Sequence, residues 1–144
     1  MAPIRVLFVC THNAARSQMA EALLRREGGA DFEVASAGTE VTRVHPSAIR
    51  VLADLGIDWT GARSKSVTEF LGQPFDYVIT VCDRAREACP VFPGATTTLH
   101  WGLDDPSEVE GSEAERSAAF QRTAAEIRDR LRPFIDEARR QPRA

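Results

Sequence analysis

A cysteine and an arginine six residues apart follow the first apolar run of the chain. Residues 4–10 form that run, which is rich in aliphatic and β-branched side chains and predicts a buried parallel strand. A short polar loop leads from Cys10 to Arg16, and Ser17, a residue suited to a helix start, opens a helical pattern. A loop between a strand and a helix N-terminus collects free backbone N–H groups, so this one predicts an anion site.

The same loop predicts a nucleophilic sulfur beneath a bound oxyanion. Because N–H groups that bind an oxyanion also stabilise a thiolate, we expect a depressed pKa for Cys10. The guanidinium of Arg16 can hold two oxygens of a tetrahedral anion, and the hydroxyl of Ser17 can donate to the sulfur. The alternative is that Cys10 is only a small buried hydrophobic residue. The combination of strand, short loop and helix favours the catalytic interpretation.

The rest of the chain alternates strand and helix patterns. Strands are predicted over 32–37, 75–81 and 96–101, helices over 17–27, 45–55 and 112–139, a short helical turn over 67–71, and a loop or short helix over 82–89. Pro133 should kink or interrupt the last helix. The small residues 36–39 could let the backbone come close to the first loop. We predict an α/β fold, a single domain over 1–144 with a four-stranded parallel sheet flanked by helices.

Three groups that could do chemistry follow predicted strands: Cys10, Cys82 and the pair Asp104 and Asp105. The carboxyl ends of parallel strands meet at one edge of a sheet, and ligands bind there. We therefore expect these residues to work together.

Cys82 and Cys89 are seven residues apart. On a continuous helix their Cα atoms would be about 10 Å apart, whereas a disulfide needs Cα atoms within about 7 Å. A bond between them would require this segment to unwind, which predicts a reduced helical form and an oxidised rearranged form. The alternative is two incidental thiols.

The composition narrows the class of protein. The 144 residues carry a net charge of −3, which argues against binding to nucleic acid or to a membrane surface. No segment has the pattern of a signal peptide or the length of a membrane span, so we expect a cytoplasmic protein. Three cysteines in such a chain indicate redox or catalytic use rather than a disulfide framework. The three histidines are too scattered along the sequence for a metal site. We also expect the protein to be a monomer.

The motif Cys10-x5-Arg16-Ser17 resembles the low-molecular-weight tyrosine phosphatase superfamily, whose fold is flavodoxin-like, and residues 10–17 look most like its arsenate reductase branch. Cys10, Cys82 and Cys89 fall on the three cysteine positions of the thioredoxin-coupled arsenate reductases. Residues 36–39, 81–83, 88–90 and 100–106 match as well, and the similarity covers essentially the whole chain.

This resemblance implies reduction of arsenate to arsenite. Cys10 would attack arsenic, Asp105, fixed by Pro106, would protonate the leaving oxygen, and the disulfide would pass from Cys10–Cys82 to Cys82–Cys89. The residues expected to bind arsenate, or phosphate and sulfate in competition, are Thr11, His12, Asn13, Ala14, Ala15, Arg16 and Ser17. No bound cofactor is expected, and thioredoxin would be the external reductant, with glutaredoxin- or mycothiol-linked recycling left open.

The resemblance also implies roles for polar residues outside the relay. Asn13, Glu21 and Ser36 match residues that hold a potassium ion in some family members, whereas Lys65 stands where those members carry an acidic residue. An ammonium there could take the place of the cation, so we expect no metal. Asp104 is expected to orient or cap the turn beside Asp105.

Two other functions are compatible with parts of this pattern. A tyrosine phosphatase would use the same loop, although Ser107 and Glu108 follow the Asp-Pro pair without the aromatic side chain that commonly grips a phosphotyrosine ring. A thiol redox sensor would need the cysteines but neither Arg16 nor Asp105. Replacing either residue therefore separates a sensor from a reductase.

Overall fold

The computed structural model describes residues 2–88, 95 and 97–141, and a four-stranded parallel sheet lies at its centre. The strands are β1 (Ile4–Cys10), β2 (Phe32–Gly38), β3 (Tyr77–Thr80) and β4 (Thr97–His100), in the order β2-β1-β3-β4. The helices are α1 (Arg16–Gly28), α2 (Pro46–Asp54), α3 (Asp83–Ala88) and α4 (Glu113–Arg140). Single 3₁₀ turns cover Gly29–Asp31, Val67–Phe70 and Pro106–Glu108. The predicted α/β architecture is confirmed.

Strand β1 is central in the sheet and is covered on both faces. Four consecutive side chains, Val6 to Val9, are fully buried, which explains why this strand reads as a continuous apolar run rather than an alternating one. Helices α1 and α4 pack against each other beside it. The central position of β1 brings its carboxyl end, and therefore Cys10, between the ends of β2 and β3.

Three sequence predictions differ from the structure in detail. Strand β3 begins at Tyr77 rather than at 75, because the carboxylate of Asp76 accepts the backbone N–H of Arg5 (2.8 Å) before the regular ladder starts. Helix α4 runs through Pro133 without interruption, since buried Leu131 and Phe134 anchor it on both sides of the proline. Helix α1 begins at Arg16, and its N-cap residue is Ala15, so Ser17 is not the cap that its residue type suggested.

No helix within the described part of the chain has the length and apolar character needed to cross a membrane.

Candidate active site

The loop over residues 11–15 joins β1 to α1 and lies directly against the end of β2. The backbone N–H of Thr39 donates to the carbonyl of Cys10 (3.2 Å), and that of Glu40 donates to the carbonyl of Thr11 (2.7 Å). A Cβ atom on Gly38 would lie 2.7 Å from the carbonyl oxygen of Thr11 and 2.8 Å from the nitrogen of Asn13. The predicted close approach of the small-residue turn to the loop is confirmed.

Because both clashes involve backbone atoms, we expect Gly38→Ala to displace the loop. Overpacking of this kind costs about 1–3 kcal/mol, and we expect the free energy of unfolding to fall by about that amount, together with a loss of oxyanion affinity. Urea unfolding and phosphate binding measured by calorimetry check this. Gly61→Ala is the matched control, since a Cβ there meets no atom within 4 Å. Equal behaviour of the two variants would contradict the prediction.

The sulfur of Cys10 accepts hydrogen bonds inside this loop. Its Sγ lies 2.7 Å from Oγ of Ser17 and 3.1 Å from the backbone nitrogen of Asn13. The orientation of the Asn13 side-chain amide shows which atom donates in the contact between Ser17 and Cys10. The backbone N–H of Lys65 can only donate, so the Asn13 atom 2.8 Å from it is the acceptor Oδ1. The Nδ2 group of Asn13 therefore donates to Oγ of Ser17 (2.7 Å), which leaves the hydroxyl proton of Ser17 for the sulfur.

Burial of Cys10 nevertheless raises the pKa of its thiol above the usual value. Hydrogen bonds from Ser17, the N–H of Asn13 and the charge of Arg16 act in the opposite direction but do not outweigh burial. The depressed pKa predicted from the sequence is therefore wrong for this structure. Removal of water disfavours the thiolate more strongly than the loop donors stabilise it.

This balance predicts a pH dependence. Ser17→Ala removes a contribution that lowers the pKa of Cys10, so the pKa moves further up and the thiolate fraction at a given pH falls. A hydrogen bond to a charged group contributes about 1.5–3 kcal/mol, so we expect the rate of Cys10 alkylation by iodoacetamide at pH 8 to fall roughly 10-fold or more. The measurement is the pH profile of that rate.

The control for Ser17→Ala is Thr123→Val, which removes another buried hydroxyl, one that donates to the carbonyl of Ala119 within α4. We expect this variant to keep the profile of the native protein. A profile for Ser17→Ala that coincides with that of the control would show that Ser17 does not stabilise the thiolate.

Asn13 organises the loop from beneath. It is fully buried and adopts a φ of 52°, a left-handed conformation that non-glycine residues seldom take. Its Nδ2 group also donates to Oγ of Ser36 (2.9 Å), and its backbone carbonyl accepts the hydroxyl of Ser64 (2.8 Å). Such a strained conformation persists only where the surroundings over-determine it, as this set of hydrogen bonds does.

A buried carboxylate continues this network away from the sulfur. Ser36 donates to Oε1 of Glu21 (2.6 Å), and the ammonium of Lys65 lies 3.5 Å from the same oxygen. Arg25 pairs with Oε2 of Glu21 at 2.6 Å. The structure thus brings Lys65 to the carboxylate, as the sequence suggested, and two cations balance the buried charge of Glu21. Among the described residues no cluster of three metal-binding side chains is found.

Arg16 and Asp105 face each other across the mouth of the loop. A terminal nitrogen of Arg16 lies 3.5 Å from Oδ2 of Asp105, and another donates to the carbonyl of Leu103 (2.9 Å). Oδ1 of Asp105 accepts the backbone N–H of Ser107 (2.9 Å) and its hydroxyl (2.7 Å). Asp105 therefore caps the turn, a role that the sequence assigned to Asp104, which is exposed. This capping leaves one oxygen of Asp105 directed at Arg16.

The second cysteine lies against the same loop. Sγ of Cys82 is 3.2 Å from Oγ1 of Thr11, the residue after Cys10, and both side chains are buried. Cys82 immediately precedes α3, so the convergence predicted for the sheet edge is confirmed for Cys10, Cys82 and Asp105. Cys89, expected to be the third member of the relay, lies outside the described residues.

The remaining loop positions are more peripheral. Nδ1 of His12 contacts the carbonyl of Glu40 (3.0 Å), so its ring is directed to the neighbouring loop. The carbonyl of Ala14 accepts the backbone N–H of His45 (2.8 Å), and Ala15 is buried at the start of α1. Ala14 and Ala15 therefore shape the loop without reactive side chains, whereas His12 contacts the neighbouring loop through its ring.

Sequence reasoning missed Gln18 and Trp59. Nε2 of Gln18 donates to Oδ1 of Asn13 (2.8 Å) and to the carbonyl of Arg63 (3.0 Å), while its Oε1 accepts the indole N–H of Trp59 (2.8 Å). A polar residue in the apolar pattern of a helix was the available signal for Gln18. Trp59 is 41 residues away, and its pairing could not be read from sequence spacing.

Comparisons with known proteins give a consistent result. The family described as "Low molecular weight phosphotyrosine protein phosphatase" matches residues 5–144. Arsenate reductases of Halalkalibacterium halodurans and Bacillus subtilis are each 37% identical over 131 residues, covering 91% of this chain and 94% of the relative.

Solved structures agree with this result. An arsenate reductase in the phosphate binding state superposes with a TM-score of 0.81 and 30% identity, covering 93% of this chain and 98% of the other. A thioredoxin-dependent arsenate reductase of Corynebacterium glutamicum has a TM-score of 0.70 and 34% identity, covering 95% of this chain and 64% of the other.

Proposed function

The chain belongs to the low molecular weight phosphotyrosine protein phosphatase family, and on this premise we propose that it is an arsenate reductase that works by a thiol–disulfide relay. The observation that carries this proposal is the buried thiol of Cys82 against Thr11 of the oxyanion loop. A phosphatase needs only the nucleophile Cys10, whereas a reductase that works by an internal relay needs a second sulfur within reach of it. The relatives named arsenate reductase support this choice.

In the first step Cys10 attacks arsenic while the loop N–H groups and Arg16 hold the oxygens of arsenate. A thiol and an arsenate together give a sulfur–arsenic bond and one water. The proton that the thiol gives up therefore leaves with the departing oxygen, and Asp105 delivers it as the general acid. Ser17 and the N–H of Asn13 favour the thiolate form that attacks.

In the second step Cys82 attacks the sulfur of Cys10, and the proton of its thiol passes to an oxygen on arsenic. A sulfur–sulfur bond forms, the sulfur–arsenic bond breaks, and its electron pair remains on arsenic, which leaves as arsenite. Cys89 then attacks Cys82 and releases Cys10 as a thiolate. The Cys82–Cys89 disulfide is reduced by an external dithiol, for which we propose thioredoxin. The thioredoxin-dependent relative supports this donor, and the reducing cytoplasm is the compartment in which it fits.

The relay is tested by arsenate-dependent NADPH oxidation with thioredoxin and thioredoxin reductase. We expect sustained turnover in the native protein and no more than one turnover per chain in Cys82→Ser and Cys89→Ser, because each variant lacks one disulfide partner. Arsenite released per chain is the quantity to measure. Normal turnover in both variants would exclude the relay and leave an external thiol as the group that resolves Cys10.

A phosphatase activity is the second candidate, since the same loop can hold phosphate and a related structure is described in a phosphate binding state. Hydrolysis of an aryl phosphate by the native protein, compared with Cys10→Ser, measures it. Efficient hydrolysis without arsenate reduction would replace the reductase proposal.

A further inference from the structure

Three side chains connect the end of the sheet to the first residue of α3. Nδ1 of His100 lies 2.8 Å from Oγ1 of Thr80, and Nε2 of His100 lies 2.9 Å from Oδ1 of Asp83. Thr80 and His100 are the paired last residues of β3 and β4, and Asp83 follows Cys82 directly. We call Thr80, Asp83 and His100 the α3 clamp.

The hydrogen bonds of the α3 clamp can be satisfied in either protonation state of His100. The carboxylate of Asp83 only accepts, so Nε2 of His100 carries a proton. When the ring is neutral, Nδ1 accepts the hydroxyl proton of Thr80. When the ring is charged, Nδ1 donates to that hydroxyl, whose proton can turn to the carbonyl of Leu99 (3.4 Å). The connection between β4 and α3 therefore survives a change of charge on His100.

The geometry points to a positioning role for His100: through Asp83 it holds the first turn of α3 against the sheet, and so keeps Cys82 buried beside Thr11. Cys82 is 5% exposed and lies between two members of the α3 clamp, two residues after Thr80 and directly before Asp83. In naming Cys82 as the attacking sulfur, this inference rests on the proposed function. The clamp itself is independent of that function, because its contacts involve neither Cys10 nor Arg16.

A mobile first turn of α3 would let the thiol of Cys82 leave its position. The side chain of Asp83 is 78% exposed, and exposed pairs of this kind contribute up to about 1 kcal/mol, so the clamp should change the open population by up to about fivefold. This restraint is weak enough to be released when the segment unwinds for a Cys82–Cys89 disulfide.

The test measures iodoacetamide labelling of each cysteine by peptide mass spectrometry in the reduced, full-length protein without arsenate. We expect His100→Ala and Asp83→Ala each to raise the labelling rate of Cys82 about two- to fivefold. Labelling of Cys10 in the same sample is the internal control and should not change. Asp83→Asn keeps an oxygen that accepts from Nε2 of His100 and should restore a rate close to that of the native protein.

A double-mutant cycle separates the clamp from other effects of Asp83, such as that of its charge at the start of α3. If the two side chains act through each other, the variant with both changes labels Cys82 no faster than either single variant. The inference would be overturned if the effects of the two substitutions on Cys82 labelling multiply, or if the labelling rate of Cys82 stays unchanged. It would also be overturned if the labelling rate of Cys10 rises equally. Because this measurement needs no arsenate, its result stands whether or not the protein proves to be a reductase.

A second measurement connects the clamp to the reaction. In a Cys89→Ser background, a single addition of arsenate should give the Cys10–Cys82 disulfide about two- to fivefold more slowly in His100→Ala. Asp83→Asn should again react at a rate close to that of the Cys89→Ser background alone. The pair Arg50 and Glu113, an exposed ion pair between α2 and α4, provides the matched control, and Glu113→Ala should leave both readouts unchanged. Absence of the Cys10–Cys82 disulfide in the Cys89→Ser protein with His100 and Asp83 intact would count against the proposed function and not against the clamp.

Discussion

Asp105→Asn is expected to lower the rate of the first chemical step about 10²- to 10⁴-fold, the usual contribution of a positioned general acid, while arsenate still binds. Oδ1 of Asp105 is held by the backbone N–H and the hydroxyl of Ser107, so asparagine can keep the same cap and the same position. Its amide cannot pass a proton to a leaving oxygen. The expected signature is therefore a loss of rate with little change in arsenate affinity.

The pairing of Asp105 with Arg16 adds a reason for this expectation. A terminal nitrogen of Arg16 lies 3.5 Å from Oδ2 of Asp105. An oxyanion held by the guanidinium therefore has Asp105 beside it, within reach of the departing oxygen. The substitution keeps this position and removes only the acid.

Rapid-quench measurement of arsenite formation in a single turnover, with arsenate affinity measured by calorimetry, checks the prediction. Asp104→Asn is the matched control because it makes the same chemical change at the exposed neighbouring residue. A variant at 105 that reacts within threefold of this control would remove Asp105 from the mechanism.

Local patterns were sufficient to predict the loop after Cys10 and the strand and helix on either side of it. The apolar run before Cys10, the short loop and the helix after it are encoded within about 25 residues of chain, so hydrophobic periodicity is sufficient to find them. The carboxyl ends of parallel strands lie at one edge of the sheet, and this rule predicted that Cys82 lies near the loop after Cys10. It could not predict the contact between Cys82 and Thr11. That contact joins residues 71 positions apart.

The electrostatics of the site could not be predicted in this way. The pKa of Cys10 depends on how completely other elements cover it, and the sequence shows the donors but not the loss of water. The network around Asn13 has the same origin, since Ser64 and Lys65 reach it from 51 and 52 residues away. Which of Asp104 and Asp105 caps the turn depends on the direction in which each side chain points. A sequence pattern does not determine that direction for two adjacent residues of the same type.

Arg16→Lys is the second prediction with a large effect, and we expect kcat/KM for arsenate to fall about 10²- to 10³-fold, as when an oxyanion donor is removed. Arg16 contacts the carbonyl of Leu103 and the carboxylate of Asp105 through different terminal nitrogens. A lysine has a single nitrogen on a flexible stem, so it cannot maintain both contacts and also present a planar pair of donors to the oxyanion.

The control for this variant is Arg26→Lys, the same change on an exposed residue of the same helix. Steady-state arsenate reduction measures kcat/KM, and oxidation by hydrogen peroxide in the absence of arsenate measures the reactivity of the cysteines alone. We expect Arg16→Lys to impair the first and to spare disulfide formation in the second, because peroxide needs no guanidinium to hold it. If arsenate reduction by Arg16→Lys stays within threefold of the Arg26→Lys rate, the guanidinium of Arg16 is not the group that holds the oxyanion.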